Sequence, residues 1–131
     1  MPDDQATPAR IALVIDDEDG VRSVATRMLE RSGYPAVGHA DGRTAVEWYR
    51  EHLGEVWCIL LDLSMPGMNG DEALRELRAL APQVPVALMS GVGALDMQRR
   101  FGHVERVVFL EKPFSLASLR DTIAQLAALC V

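Results

Sequence analysis

Four short apolar runs in this chain each lead into a polar residue able to do chemistry. Asp16 and Asp17 follow Ile11 to Ile15, Asp62 follows Val56 to Leu61, Ser90 follows Val86 to Met89, and Lys112 stands just beyond Val107 to Leu110. If these runs are strands of one parallel sheet, the segments leaving them emerge at its carboxyl edge, where ligand sites of such sheets lie. Three carboxylates gathered there repel: at about 5 Å and an effective dielectric near 20, each pair costs on the order of 3 kcal/mol. A divalent cation offsets that, and Mg²⁺ suits a site with few carboxylates, retained waters and a phosphoryl oxygen completing its octahedron. Lys112 adds a mobile positive charge and Ser90 a hydroxyl donor, both suited to phosphoryl oxygens. Such a set is fitted to place a phosphoryl group on a carboxylate.

The apolar runs are too short and too continuous for half-buried helices or alternating strands, and read as strands covered on both faces. A weaker strand over Ala36 to Ala40, with Gly38 and His39 in it and Pro35 before it, suits a sheet edge. Helical stripes lie between the runs: Val21, Val24, Ala25, Met28 and Leu29, then Ala73, Leu74, Leu77, Leu80 and Ala81, then Leu116, Leu119, Ile123 and Leu126. Further helices are predicted over Arg43 to Leu53 and Ala94 to Phe101. Gly33 suits the left-handed position that ends the first helix, and Asp71 and Ser115 suit N-terminal caps. Alternating strands and helices with right-handed crossovers give an α/β fold, a parallel sheet of five strands between helices. Residues 1–9, with Pro2 and Pro8, read as a flexible lead-in to one domain over residues 10–131.

The 131 residues fit one core that buries roughly 68% of the unfolded chain's surface. With 49% hydrophobic and 24% charged residues the chain is expected to fold rather than stay disordered. A net charge of −6 argues against a nucleic-acid backbone or an anionic membrane surface as partner. The longest uncharged run, Ala79 to Leu95, is broken by Pro82, Pro85 and Gly91, so no membrane span is expected. The acidic start Met1-Pro2-Asp3-Asp4 does not resemble a signal peptide, and a cytoplasmic location follows as the expectation. Cys58 and Cys130 have neither metal-ligand spacing nor a disulfide framework. Of 13 basic residues 12 are Arg, and the one Lys is Lys112. A compact ammonium can follow a phosphoryl group that comes and goes, whereas a guanidinium fork would lock onto resting carboxylates.

Asp16-Asp17, Asp62 followed by Met65-Pro66-Gly67-Met68-Asn69-Gly70, Met89-Ser90-Gly91 and Lys112-Pro113-Phe114 resemble, in order and spacing, the receiver domain of two-component response regulators. Each element alone is a weak signal; the ordered set, spanning about Arg10 to Leu129, is specific. The resemblance implies a flavodoxin-like, doubly wound sheet of order 2-1-3-4-5. It implies Asp62 as phosphoacceptor, taking a phosphoryl group from a histidine kinase or histidine phosphotransfer protein. Mg²⁺ would be held by Asp17, Asp62 and the backbone carbonyl of Ser64, with Asp16 acting through water. Ser90 and Lys112 would bind the phosphoryl group, Phe109 would turn inward as an aromatic switch, and the Lys112-Pro113 bond would be cis. Ser64, Gly91 and Val92 fall where the rates of phosphoryl gain and loss would be tuned. The role implied is that of a signalling phosphoacceptor and not an enzyme. Its output would pass through the fourth helix, fifth strand and fifth helix to a protein target, with a homodimer on activation as a further expectation. The chain is expected to lack an output domain, and Met89-Ser90-Gly91 resembles the receivers of hybrid histidine kinases. Two features depart from the pattern. Gly91 stands where Ala is commoner, and Phe101-Gly102-His103-Val104-Glu105-Arg106 lacks the small Gly-Ala pair frequent before the fifth strand.

Other readings of the same residues are weaker. A flavodoxin-like electron carrier would set its FMN phosphate against the acidic run Asp16 to Asp19. An aspartyl-phosphate hydrolase using Asp62 commonly has an Asp two residues on, where this chain has Ser64. Gly91-Val92-Gly93 lacks the third Gly of a dinucleotide loop, Asp96 standing there. Taken singly, Asp16 to Asp19 could be an acidic helix entry, Ser90 a turn residue, Lys112 a surface charge and Phe109 ordinary core. His39, His52 and His103 read as edge or surface residues, Trp48, Tyr49 and Trp57 as packing, and Arg99-Arg100 as a solvated face.

Overall fold

The computed structural model describes residues 10–65, 70–101 and 105–130. The expected lead-in over residues 1–9, the motif residues Pro66 to Asn69, and Gly102 to Val104 with His103 lie outside them.

Strands β1 (Ile11–Ile15), β2 (Ala36–His39), β3 (Val56–Asp62), β4 (Val86–Ser90) and β5 (Val107–Glu111) alternate with helices α1 (Asp19–Arg31), α2 (Gly42–Arg50), α3 (Gly70–Leu80), α4 (Ala94–Phe101) and α5 (Leu116–Ala128). All pairings are parallel and the order is β2-β1-β3-β4-β5, which puts β2 at an edge. Successive residues of the central strands point to opposite faces, so their continuous apolar sequences feed two cores. Leu13, Ile15, Ile59, Leu61, Val86 and Leu88 pack with Ala45, Tyr49, Leu74, Leu77 and Met97 of α2, α3 and α4. Ala12, Val14, Cys58, Leu60, Ala87 and Met89 pack with Ala25, Leu29, Leu119, Ile123 and Leu126 of α1 and α5. Each buried Val, Leu, Ile or Met among them contributes about 1.5–3 kcal/mol relative to its exposed state. Burial deep enough to hold a carboxylate edge rigid is thus available on both sides of the sheet.

Local chemistry explains the boundaries. Gly33, at φ +95°, follows Ser32 at the end of α1, and its amide donates to the Glu30 carbonyl. Ser115 caps α5, its side chain accepting from the Ser118 amide. Asp71 does not cap α3: the helix begins at Gly70, leaving Asp71 in the first turn, where its charge favours the positive helix end. Helix α2 stops at Arg50 rather than Leu53, because the amides of Glu51 and His52 turn back to Trp48 and Tyr49 in tightened i→i+3 bonds. Asp41 caps it, accepting from the Thr44 amide at 2.8 Å, which lowers the Asp41 carboxyl below its ordinary range. The aromatic residues pack: Tyr49 is buried, Trp57 meets Tyr34 at 4.4 Å, and Trp48 stacks on His52 at 4.0 Å. His39 is half-buried at the edge strand, and burial pushes its imidazole below the usual value. Arg99 is exposed, 3.9 Å from Asp96. Among the described residues no helix is long and apolar enough to cross a membrane.

Candidate metal centre

Strand register assembles the site. Ile15 pairs with Leu61, so Asp16 and Asp62 sit side by side at the carboxyl ends of β1 and β3. Asp62 in turn pairs with Met89, which sets Ser90 one step beyond it, and the Lys112 amide donates to the Ser90 carbonyl at 2.7 Å. Asp16 and Asp62 are 0% and 1% exposed, whereas Asp17 projects into solvent. Carboxylate oxygens of Asp16, Asp17 and Asp62 lie within 4.8 Å of one another.

Each buried carboxylate is held in the same way. Oδ1 of Asp16 accepts from the Glu18 amide at 2.9 Å, and Oδ1 of Asp62 accepts from the Ser64 amide at 3.0 Å. These turns back onto the main chain fix each carboxylate plane. The second oxygens face Lys112, whose Nζ lies 2.8 Å from Asp16 Oδ2, 3.4 Å from Asp62 Oδ2 and 3.0 Å from Glu18 Oε1. Burial disfavours the Lys112 ammonium, but the hydrogen bonds and charges of Asp16, Glu18 and Asp62 outweigh it and hold the group above the ordinary lysine value. Asp17 is pushed the other way: desolvation, then its contact with Asp62 and that residue's charge, raise its carboxyl above the usual 3.8. The Lys112 charge acts the other way on Asp17 but is the smallest of these influences.

The donor set fits a hard cation. Its candidate ligands are oxygens alone, and Asp16 Oδ2 is wholly buried, with the Lys112 ammonium 2.8 Å from it. An all-carboxylate oxygen set of this kind suits Mg²⁺ or Ca²⁺ better than Zn²⁺, which favours nitrogen and sulfur donors.

Around the cluster, Ser90 is buried with its Oγ accepting from the Val92 amide at 3.2 Å, and Ser64, Gly91 and Val92 are exposed at the rim. Phe109 is half-buried and packs on the core that holds Met97, on the α4 side of the sheet. The Lys112-Pro113 peptide is cis. Asp16, Asp17, Asp62, Ser64, Ser90 and Lys112 therefore meet at one edge, with Phe109 one layer away. Two contributors escape the sequence pattern. Glu18, which reads as a helix entry, is an anchor for Lys112, and its adjacency to Asp17 is the signal for it. Arg22 donates from Nη1 to the Asp16 carbonyl at 2.8 Å, and nothing in the periodicity marks it.

Comparison with known proteins agrees with this geometry. The family model described as the response regulator receiver domain matches residues 12–124. The chain is 36% identical over 114 residues to sensor kinase CckA of Brucella abortus, covering 87% of this chain but only 12% of that protein. It is 27% identical to sporulation initiation phosphotransferase F of Bacillus subtilis, covering 85% and 88% of the two chains. Among solved structures, the receiver domain from hybrid histidine kinase CckA superposes with a TM-score of 0.74 at 32% identity, covering 88% of this chain and 96% of that one. Chemotaxis protein CheY4 of Vibrio cholerae shares the fold, with a TM-score of 0.80 at 24% identity over 92% and 99% of the chains.

Proposed function

Since the chain belongs to the response regulator receiver domain family of two-component systems, we propose that it is a phosphorelay phosphoacceptor whose phosphorylated residue is Asp62. The observation that carries this is Asp62 itself, 1% exposed at the end of β3, one oxygen bound to the Ser64 amide and the other 3.4 Å from the Lys112 ammonium. A carboxylate so fixed is an oriented nucleophile.

In the proposed step an Asp62 oxygen attacks the phosphorus of a phosphohistidine. The new O–P bond forms as the P–N bond breaks; the ring nitrogen leaves with the bonding pair and, because the phosphohistidine ring carries a proton on its other nitrogen, departs as neutral histidine, leaving an acyl phosphate on Asp62. Bound Mg²⁺, held by Asp17, Asp62 and the Ser64 carbonyl with Asp16 through water, would screen the charge on the transferring group. Lys112 follows the phosphoryl oxygens, giving up its contact with Asp62, and the Ser90 hydroxyl turns from the Val92 amide to donate to them. Phe109 moves with Ser90, so the change reaches the face of α4, β5 and α5 and, through it, a protein target or a second copy. Ser64, Gly91 and Val92, exposed at the rim, set how readily donor and water reach the group. An apolar groove lined by Gly20, Val21, Val24, Pro113 and Phe114 opens beside Glu18 and Lys112 and offers a histidine kinase or phosphotransfer protein a place to dock. The domain extends over residues 10–131, works in the cytoplasm as a signalling module, and needs no nucleic acid or membrane.

Incubation with Mg²⁺ and acetyl phosphate is expected to add one phosphoryl mass to the chain, and Asp62→Asn to abolish it. Intact-mass spectrometry showing the adduct retained in that variant would remove Asp62 from the role.

A further inference from the structure

The Asp16 main chain is fixed at both ends from the sheet edge. Its amide donates to the His39 carbonyl of β2 at 3.1 Å, and its carbonyl accepts from Arg22 Nη1 at 2.8 Å. Because the peptide unit is planar, holding that carbonyl sets the plane from which Asp17 leaves.

Arg22 reaches the carbonyl from α1 by crossing the edge strand. Its stem passes over Gly38 so closely that a Cβ there would stand 3.0 Å from both Cγ and Cδ of Arg22. Nη2 is steadied by Asp19 Oδ1 at 2.5 Å, an exposed pair worth little on its own. Gly38 has an ordinary backbone φ, so main-chain conformation does not require glycine there. A Cβ there would instead press on the arginine stem, which would have to give by a few tenths of an ångström.

We propose that Arg22 is the positioning residue for the cation loop, fixing the Asp16-Asp17 peptide, and that Gly38 is the notch that lets it do so. The proposal rests on the reading of the acidic cluster as a Mg²⁺ site. Arg22 touches neither metal nor phosphoryl group; it acts through the main chain of two residues that do.

Two measurements on the full chain test it. In calorimetric titration with MgCl₂, Arg22→Ala should bind about tenfold more weakly, the low end of what loss of an outer-shell partner costs. Acetyl phosphate labelling should need about tenfold more Mg²⁺ to reach half its maximal rate, and Arg22→Lys should recover part of the affinity. Gly38→Ala should also weaken binding, yet add nothing in the Arg22→Ala background, because its effect passes through the arginine. Gly38→Ala keeps the guanidinium, and carries the test if Arg22→Ala does not fold. Wild-type Mg²⁺ affinity in the Arg22 variants, or a Gly38→Ala loss that persists without Arg22, overturns the proposal. If the wild-type chain itself binds no Mg²⁺, the metal-site reading fails instead. Positioning is then decided in metal-free protein by amide exchange at Glu18, whose bond to Asp16 Oδ1 should open faster in Arg22→Ala, equal rates overturning it.

Discussion

At the residue scale, the resting site is organised by Lys112, which is 14% exposed and within 2.8 to 3.4 Å of Asp16, Glu18 and Asp62. A flexible stem ending in one compact charge can leave Asp62 for a phosphoryl oxygen while keeping Asp16 and Glu18 in reach. A guanidinium would bind two carboxylates at once and hold them. Lys112→Arg is therefore expected to fold and bind Mg²⁺ normally, but to lose most of the conformational response to phosphorylation. Comparing amide chemical shifts of β5 and α5 with and without acetyl phosphate measures this, and a wild-type response would contradict it. The Lys at this place was legible in the sequence because it is the sole one and follows an apolar run. The partners that hold it were less so. Glu18 reaches Lys112 across 94 positions of chain, and Arg22 acts on a backbone carbonyl, which no side-chain pattern records.

At the scale of elements, two glycines bound the site and differ sharply. Gly70 begins α3 so close to the end of β3 that a Cβ would lie 2.4 Å from Leu63 Cα and 3.1 Å from the Asp62 carbonyl oxygen. Neither neighbour is the free end of a side chain, so Gly70→Ala must push α3 away from Asp62. A loss of about 2–3 kcal/mol is expected, the upper range for overpacking, with slower phosphorylation. Urea unfolding measures it. Gly91, just past β4, has open space around it, and Gly91→Ala should leave stability within about 0.5 kcal/mol of wild type. It should lengthen the acyl phosphate lifetime by narrowing water's approach, which phosphate release from the labelled chain reads directly. The five strands and their helices could be read from apolar runs and 3.6-residue stripes because burial on both faces writes itself into composition. The start of α3 could not, since the close approach of Gly70 to Leu63 is a tertiary contact that no local sequence pattern records.

For the whole molecule, the site is a local cost to stability that the two cores carry. Desolvation and Asp62 hold the folded-state pKa of Asp17 above its usual 3.8. A raised carboxyl favours folding only while protonated, and that contribution is lost as pH rises through the folded value; at neutral pH the Asp17 carboxylate opposes the fold. A cation that binds only the folded chain reverses the balance, adding about 2.7 kcal/mol at a concentration 100 times its Kd, on the order of 5–10 °C in melting temperature. Asp17→Asn separates the two effects. Without metal it should melt above wild type near pH 7, with the advantage shrinking as pH falls toward 4 and the wild-type carboxyl takes up its proton. With saturating Mg²⁺ it should gain little, so that the order of melting temperatures inverts. Calorimetric scans at both pH values, with and without Mg²⁺, check the prediction, and a variant that melts below wild type in metal-free buffer would show that Asp17 supports the fold through contacts other than its charge.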